Sequence, residues 1–152
     1  MMANKIKKCR ILIAGAGPTG LMLSAQLTRF GIDHIIIDAK NGPTLESRAL
    51  VVQARSMEIY EQLGLSDNVV SQGQKAFGAK LYRKGQAHAE VRLINSDENS
   101  TEFPYLMMYE RSKNESLLYQ YVKDHDREVE WNTKIIEIIN YRKTVTIQVK
   151  IG

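Results

Sequence analysis

The most constraining feature of this chain is a glycine-rich turn directly after its first apolar run. Residues 11–14 are Ile-Leu-Ile-Ala and lead into Gly15-Ala-Gly-Pro-Thr-Gly20, which fits the pattern G-x-G-x-x-G. Between a strand and a helix, this pattern places a helix N-terminus where the pyrophosphate of a dinucleotide can bind. We expect Gly15 to permit the tight turn, Gly17 to let the backbone approach the phosphates, and Gly20 to let the helix pack against the strand.

The residues after this turn complete a strand–helix–strand pattern that ends in an acid. The predicted helix ends near Gly31, and a second apolar run ends at Asp38, roughly 20 residues beyond the glycines. A carboxylate there accepts hydrogen bonds from a free ribose 2′-hydroxyl and repels a 2′-phosphate, so it favours FAD or NAD over NADP. The motif alone leaves FAD and NAD open. Without a binding function, the glycine-rich turn would be a strand–turn–helix connection with no ligand, and Asp38 would be an exposed acid at a strand end.

Composition excludes several other classes of protein. The 152 residues include 43% hydrophobic and 25% charged side chains, as in one ordinary globular domain. The net charge of +4 comes from dispersed lysines and arginines, so we expect no nucleic-acid partner. No apolar stretch approaches the ~18 residues of a membrane span, and we expect a cytoplasmic protein with no membrane partner. A single cysteine, Cys9, excludes an internal disulfide, and we expect this residue to be partly buried. No pair of histidines has the spacing of metal ligands, so no metal site is predicted.

Local patterns predict an α/β fold with a parallel sheet and β insertions. Ser112 and Glu115 form a capping-box pattern that predicts the start of a helix. Residues 95–101 are polar and predict a loop. The other predicted elements are strands at 10–14, 34–38, 81–83, 90–94, 129–131, 135–139 and 144–151, and helices from Pro18 to near Gly31 and over 53–63.

Two longer segments are more specific than the glycine pattern. Ser47-Arg-Ala49 is followed by Ala54-Arg-Ser-Met-Glu58, and residues 104–118 read Pro-Tyr-Leu-Met-Met-Tyr-Glu-Arg-Ser-Lys-Asn-Glu-Ser-Leu-Leu. Both resemble the FAD-binding region of flavin-dependent aromatic hydroxylases, the para-hydroxybenzoate hydroxylase-like monooxygenases. The resemblance extends from residue 11 to about residue 139. It implies a Rossmann-like FAD-binding domain.

The resemblance also implies roles for individual residues. Asp38 would bind the adenosine ribose, Lys40 would lie near the adenosine, and Arg48 would reach the cofactor. Arg111 stands where most relatives carry glutamine and could still donate hydrogen bonds to the cofactor. Ser24 replaces the usual Gly or Ala, a change expected to disturb packing little. The FAD pyrophosphate would be held by five residues of the turn: Gly15, Gly17, Pro18, Thr19 and Gly20.

In a full enzyme the resemblance implies FAD as cofactor, NAD(P)H as reductant, and O₂-dependent hydroxylation of an aromatic or similar organic substrate. The later Asp-Gly and Gly-Asp elements of the family, and its substrate domain, do not occur in residues 1–152. We therefore expect a partial FAD-binding domain, incomplete at its C-terminus, inactive alone, with no catalytic residue and with its first strand at a sheet edge. The alternatives are an NAD-linked dehydrogenase domain and a non-catalytic remnant without a ligand.

Overall fold

The computed structural model describes residues 6–46, 49–92 and 100–152. They form two compact units, one within Met1–Leu45 and Glu115–Gly152 and the other within Glu46–Asn114. In chain order the elements are β1 (Leu12–Ala14), α1 (Pro18–Arg29), β2 (Ile35–Ile37), β3 (Ala49–Val52), α2 (Ala54–Gln62), α3 (Ser66–Gln72), β4 (Gln74–Ala76), β5 (Gly78–Arg83), β6 (Gln86–Arg92), β7 (Leu106–Glu110), α4 (Arg111–Asp124), β8 (Val129–Glu130), β9 (Thr133–Asn140) and β10 (Val145–Ile151).

The first unit is built on a three-stranded parallel sheet in the order β1-β2-β8. Ile13 pairs with Ile36, and Ile36 pairs with Val129 on its other side. All three side chains are buried and point to one face, and the adjacent residue Ile37, which points to the other face, is also buried, as in a parallel sheet covered on both faces. The predicted parallel arrangement is confirmed, and among the described strands β1 lies at the edge, as predicted.

Helix α1 connects β1 to β2 and follows the sequence signals closely. Pro18 occupies its first turn, where the missing N–H leaves no hydrogen bond unmade. Gly31 follows the helix with φ +66°, a left-handed conformation that glycine adopts without strain. The helix buries Leu21, Ser24 and Ala25.

The predicted hairpin at the C-terminal end of the first unit is confirmed. Strands β9 and β10 pair antiparallel, with an irregularity between Gln148 and Val149. Cys9, expected to be partly buried, is exposed. It lies before β1, outside the buried part of the sheet.

The second unit contains an antiparallel sheet in the order β3-β7-β4, with α2 and α3. Val52 and Met107 face each other across β3 and β7 and are buried. Helix α2 confirms the predicted helix over 53–63, and Gly64 follows it with φ +70°. The sheet itself was not predicted, because β3 and β4 have only four and three residues and β7 continues into α4 without a turn residue.

The predicted antiparallel excursion in the second unit is also confirmed. Strands β5 and β6 pair around Lys84 and Gly85, which both have positive φ angles, 51° and 79°. Two consecutive residues with positive φ angles form a two-residue hairpin turn whose twist matches that of the flanking strands. Both strands begin earlier than predicted, β5 at Gly78 and β6 at Gln86. The last predicted residues, 93–94, lie outside the described residues, as does most of the predicted loop at 95–101.

The capping-box prediction is wrong. Helix α4 begins at Arg111, so Ser112 lies inside its first turn and does not precede it. Glu115 is fully buried and accepts a hydrogen bond from the backbone of Thr44. The S-x-x-E pattern therefore predicted a helix that exists, but its serine and glutamate do not form a capping box.

No helix among the described residues combines the length and apolar character needed to cross a membrane.

Candidate dinucleotide-binding site

The glycine-rich turn lies between β1 and α1 in the first unit, at the carboxyl end of β1. Gly15 has φ +110°, a conformation that is strained for any residue with a side chain. A Cβ on Gly20 would lie 1.8 Å from the carbonyl oxygen of Gly15. The predicted geometric roles of Gly15 in the turn and Gly20 in close packing are therefore confirmed.

The N-terminus of α1 is open to an anion. Gly17 is its N-cap, with an extended backbone at φ −82° and ψ −176°, and no side chain caps the helix. The first turn contains no acidic residue. The partial positive charge of a helix N-terminus is therefore not neutralised from within the helix, which suits a phosphate group. Pro18 and Thr19 form the first turn beside Gly20.

Asp38 follows β2 and holds the glycine-rich turn in place. Its Oδ2 accepts a hydrogen bond of 2.6 Å from the backbone N–H of Ala16, and its Oδ1 accepts one of 2.8 Å from the N–H of Lys40. A carboxylate has about four acceptor positions, so two hydrogen bonds leave capacity for a hydroxyl group. Sequence reasoning identified the acid but missed its bonds to the backbone.

A pocket of about 250 Å³ lies at this end of the parallel sheet. The end of β1 and the residues just after β1 and β2 contribute Ala14, Gly15 and Asp38 to its lining. Another part of its wall comes from the start of β9, with Thr133, Lys134 and Ile135. Sequence reasoning missed this wall, because these residues carry only a strand pattern and no binding signal.

Lys40 lies two residues after Asp38, and its ammonium contacts several groups of the first unit. Its Nζ donates to Thr44 Oγ1 at 3.1 Å and forms an ion pair with Glu115 Oε2 at 3.4 Å. The same Nζ lies 5.9 Å from the centre of the Trp131 ring, within the range of a cation–π contact. The structure thus places Lys40 near the predicted site. It also brings Glu115 into contact with Lys40, a contact that the interpretation of Glu115 as a capping residue did not predict.

The described residues of the first unit do not include two of the predicted site residues. Arg48 lies outside the described residues. Arg111 is the first residue of α4 and belongs to the second unit. Their roles stay predictions.

Two of the three histidines make local contacts. His34 Nδ1 lies 2.9 Å from the carbonyl oxygen of Ile32, and its Nε2 lies 2.7 Å from Ser24 Oγ. His125 Nδ1 lies 2.7 Å from the carbonyl oxygen of Tyr121. In the part of the chain that the structure describes, no group of three acidic, histidine or cysteine residues could hold a metal ion.

Comparisons with known proteins agree with this geometry. A sequence model of the family described as FAD binding domain matches residues 8–151. The 6-methylpretetramide 4-monooxygenase of Streptomyces rimosus is 32% identical over 132 residues, or 84% of this chain and 23% of that protein. The p-hydroxybenzoate hydroxylase of Acinetobacter baylyi is 31% identical over 81 residues, or 52% of this chain and 20% of that protein.

A solved structure shows the same fold. The flavin-dependent monooxygenase PieE, in complex with FAD and substrate, has a TM-score of 0.82 to this chain and is 20% identical. The match covers 93% of this chain and 26% of PieE. The chain therefore spans about a quarter of the length of the proteins that it resembles.

Proposed function

The chain belongs to the FAD binding domain family, and from that membership we propose that it binds FAD as part of a flavin-dependent monooxygenase. The membership confirms the predicted resemblance and favours FAD over NAD. When bound, the flavin supplies the redox chemistry, taking electrons from NAD(P)H and using O₂ to hydroxylate an aromatic or similar organic substrate. This chain's own residues would bind and orient the cofactor.

The residues of the first unit fit the two polar parts of the adenosine half of FAD. The uncapped N-terminus of α1, formed by Gly17, Pro18, Thr19 and Gly20, suits the pyrophosphate. Asp38 would accept a hydrogen bond from the ribose, and Lys40 would contribute a positive charge beside it. By resemblance, Arg48 and Arg111 would donate further hydrogen bonds to the cofactor.

The observation that carries this proposal is the hydrogen bond of 2.6 Å between the Ala16 N–H and Asp38 Oδ2. It joins the glycine-rich turn to the acid, although the two are 22 residues apart in the chain. An acid with only a solvated role at a strand end would not need this contact. The bond supports a single site formed by the turn and the acid.

The test is a titration of the purified chain with FAD, with NAD as the control ligand. The only tryptophan, Trp131, lies beside Lys40, so its fluorescence reports binding at this end of the sheet. We expect preferential FAD binding. Gly17→Val should weaken it by about tenfold or more, because its side chain blocks the approach of the phosphates to the backbone. Asp38→Ala should weaken it by a similar factor and Arg48→Ala should weaken it too, since each removes contacts to polar or charged groups of the cofactor.

A matched control is Asp33→Asn. Asp33 carries the same carboxylate but precedes β2, so it lies at the opposite end of the parallel sheet, and its side chain is 80% exposed. Its replacement should leave FAD binding unchanged. Tight NAD binding without FAD binding would contradict the proposal, and an affinity insensitive to Arg48→Ala would count against the FAD assignment.

Three expectations about the whole protein form part of the same proposal. Residues 1–152 would form part of a FAD-binding domain whose enzyme carries its substrate domain elsewhere, would act in the cytoplasm, and would bind no nucleic acid. The first is supported by the share of the relatives that the chain spans, 20% to 26%.

A further inference from the structure

Glu115 is a buried charge that the proposed cofactor contacts do not use. It is 0% exposed and, among the described residues, is the only acidic, lysine or arginine residue in the buried class. Removing a carboxylate from water is costly unless it is paired and hydrogen-bonded. The partners of Glu115 therefore indicate what this part of the fold is built to hold.

Two partners of Glu115 belong to the segment that follows β2. Its Oε2 accepts a hydrogen bond of 2.9 Å from the backbone N–H of Thr44, and the Lys40 ammonium lies 3.4 Å from the same atom. Helix α4 thus fixes both the backbone and the charge of this segment. The segment begins at Asp38, the proposed ribose ligand.

Lys40 is held from three directions. Its backbone N–H donates to Asp38 Oδ1 at 2.8 Å, and its carbonyl oxygen accepts from the N–H of Asn132 at 2.7 Å. Its ammonium donates to Thr44 and Glu115, which accounts for two of the three N–H donors of a lysine. The side chain is 37% exposed, so its remaining donor can reach a ligand from solvent.

We propose that Glu115 is a positioning residue for the cofactor site, acting through Lys40. Its carboxylate holds the Lys40 ammonium within the segment that begins at Asp38, so that the positive charge and the remaining N–H are directed at an oxygen of the adenosine half of FAD. This inference rests on the proposed function. It assigns the ion pair a role in cofactor affinity beyond its contribution to folding.

The test is a double-mutant cycle on FAD affinity, measured by Trp131 fluorescence in the whole chain. Glu115→Gln keeps an oxygen for the Thr44 N–H but removes the charge that holds Lys40. We expect it to weaken FAD binding roughly tenfold, the effect of losing one charge-assisted hydrogen bond. In a Lys40→Met background the same change should have an effect of less than about twofold, since there is no ammonium left to position.

A purely structural role for Glu115 gives a different result. Glu115→Gln would then weaken binding by the same factor with and without Lys40, or would leave it unchanged, and either result would overturn the inference. If Glu115→Gln does not fold, Thr44→Val takes its place, because it removes only the hydroxyl that accepts from Lys40. We expect a loss of about threefold there, and no change would equally overturn the inference.

The matched control is the ion pair of 2.6 Å between Arg127 and Asp33. Both residues precede parallel strands, so the pair lies at the end of the sheet opposite Lys40. Arg127→Met removes one positive charge and should leave FAD affinity unchanged. A wild-type chain that binds no FAD would refute the proposed function; a wild-type chain that binds FAD, without coupling between Glu115 and Lys40, would refute only this inference.

Discussion

Gly20 has no room for a side chain. A Cβ there would lie 1.8 Å from the Gly15 carbonyl oxygen and 3.3 Å from Ile13 Cγ2. The Gly15 oxygen is backbone and cannot rotate away, so α1 would have to move off the strand.

Gly20→Ala should therefore lower the free energy of unfolding by about 2–3 kcal/mol, the upper range for overpacking. Urea unfolding followed by Trp131 fluorescence measures this. Gly42→Ala is the control, since a Cβ at Gly42 would meet nothing within 4 Å. Equal stability of the two variants would mean that α1 can shift away from β1 without loss.

At the scale of elements, a buried polar pair joins α1 to the chain entering β2. The Ile32 carbonyl oxygen can only accept, so Nδ1 of His34 carries the hydrogen, and with that tautomer Nε2 accepts from Ser24 Oγ. Ser24 is 0% exposed. The sequence comparison treated Ser24 only as a small residue, but its hydroxyl supplies the one donor that this buried ring nitrogen contacts among the described residues.

Ser24→Ala should lower the free energy of unfolding by about 1–2 kcal/mol, because it leaves His34 Nε2 without a donor in the core. Thr28→Val in the same helix is the control. The Thr28 hydroxyl is buried without a hydrogen-bond partner, so its removal should be neutral or slightly stabilising. Urea unfolding compares the two variants, and a similar loss in both would contradict the role of the Ser24–His34 bond.

Elements with complete local signals were predicted well, and those without were missed. Helix α1 has Pro18 at its start and Gly31 after its end, and the β5–β6 hairpin has Gly85 in its turn. Strands β3 and β4 have no such signal and exist because β7 pairs with both. Their stability comes from partners far along the chain, which local periodicity does not encode.

At the scale of the whole molecule, stability should fall at alkaline pH. Burial raises the pKa of Tyr60 to about 12, from an ordinary value of 10.0, and the Tyr60 hydroxyl donates to Asn114. Burial also raises the pKa of Tyr109. The unfolded chain thus loses these protons first as pH rises, so unfolding becomes more favourable between about pH 10 and pH 12.

Thermal unfolding by circular dichroism at pH 8, 10 and 11 tests this. The melting temperature should fall over the last interval, and Tyr60→Phe should make that fall smaller while lowering stability at pH 8 through the lost hydrogen bond. Tyr82→Phe is the control, since Tyr82 is 64% exposed in the same unit. An unchanged pH dependence in Tyr60→Phe would refute the assignment to Tyr60.

The sequence by itself determined the strand–turn–helix–strand order, the geometric roles of Gly15 and Gly20, the acid at Asp38 and the family. The first three follow from signals within about 20 residues of one another, where chain connectivity leaves little choice of geometry. The family follows from two sequence segments, residues 47–58 and 104–118. The tertiary structure decided the contact between Asp38 and Ala16, the pairing of β7 with both β3 and β4, and the burial of Glu115. Glu115 contacts Thr44 from 71 residues away, and only packing of α4 in the first unit brings them together. Contacts of that kind depend on which surfaces meet in the folded chain, and no local pattern specifies them.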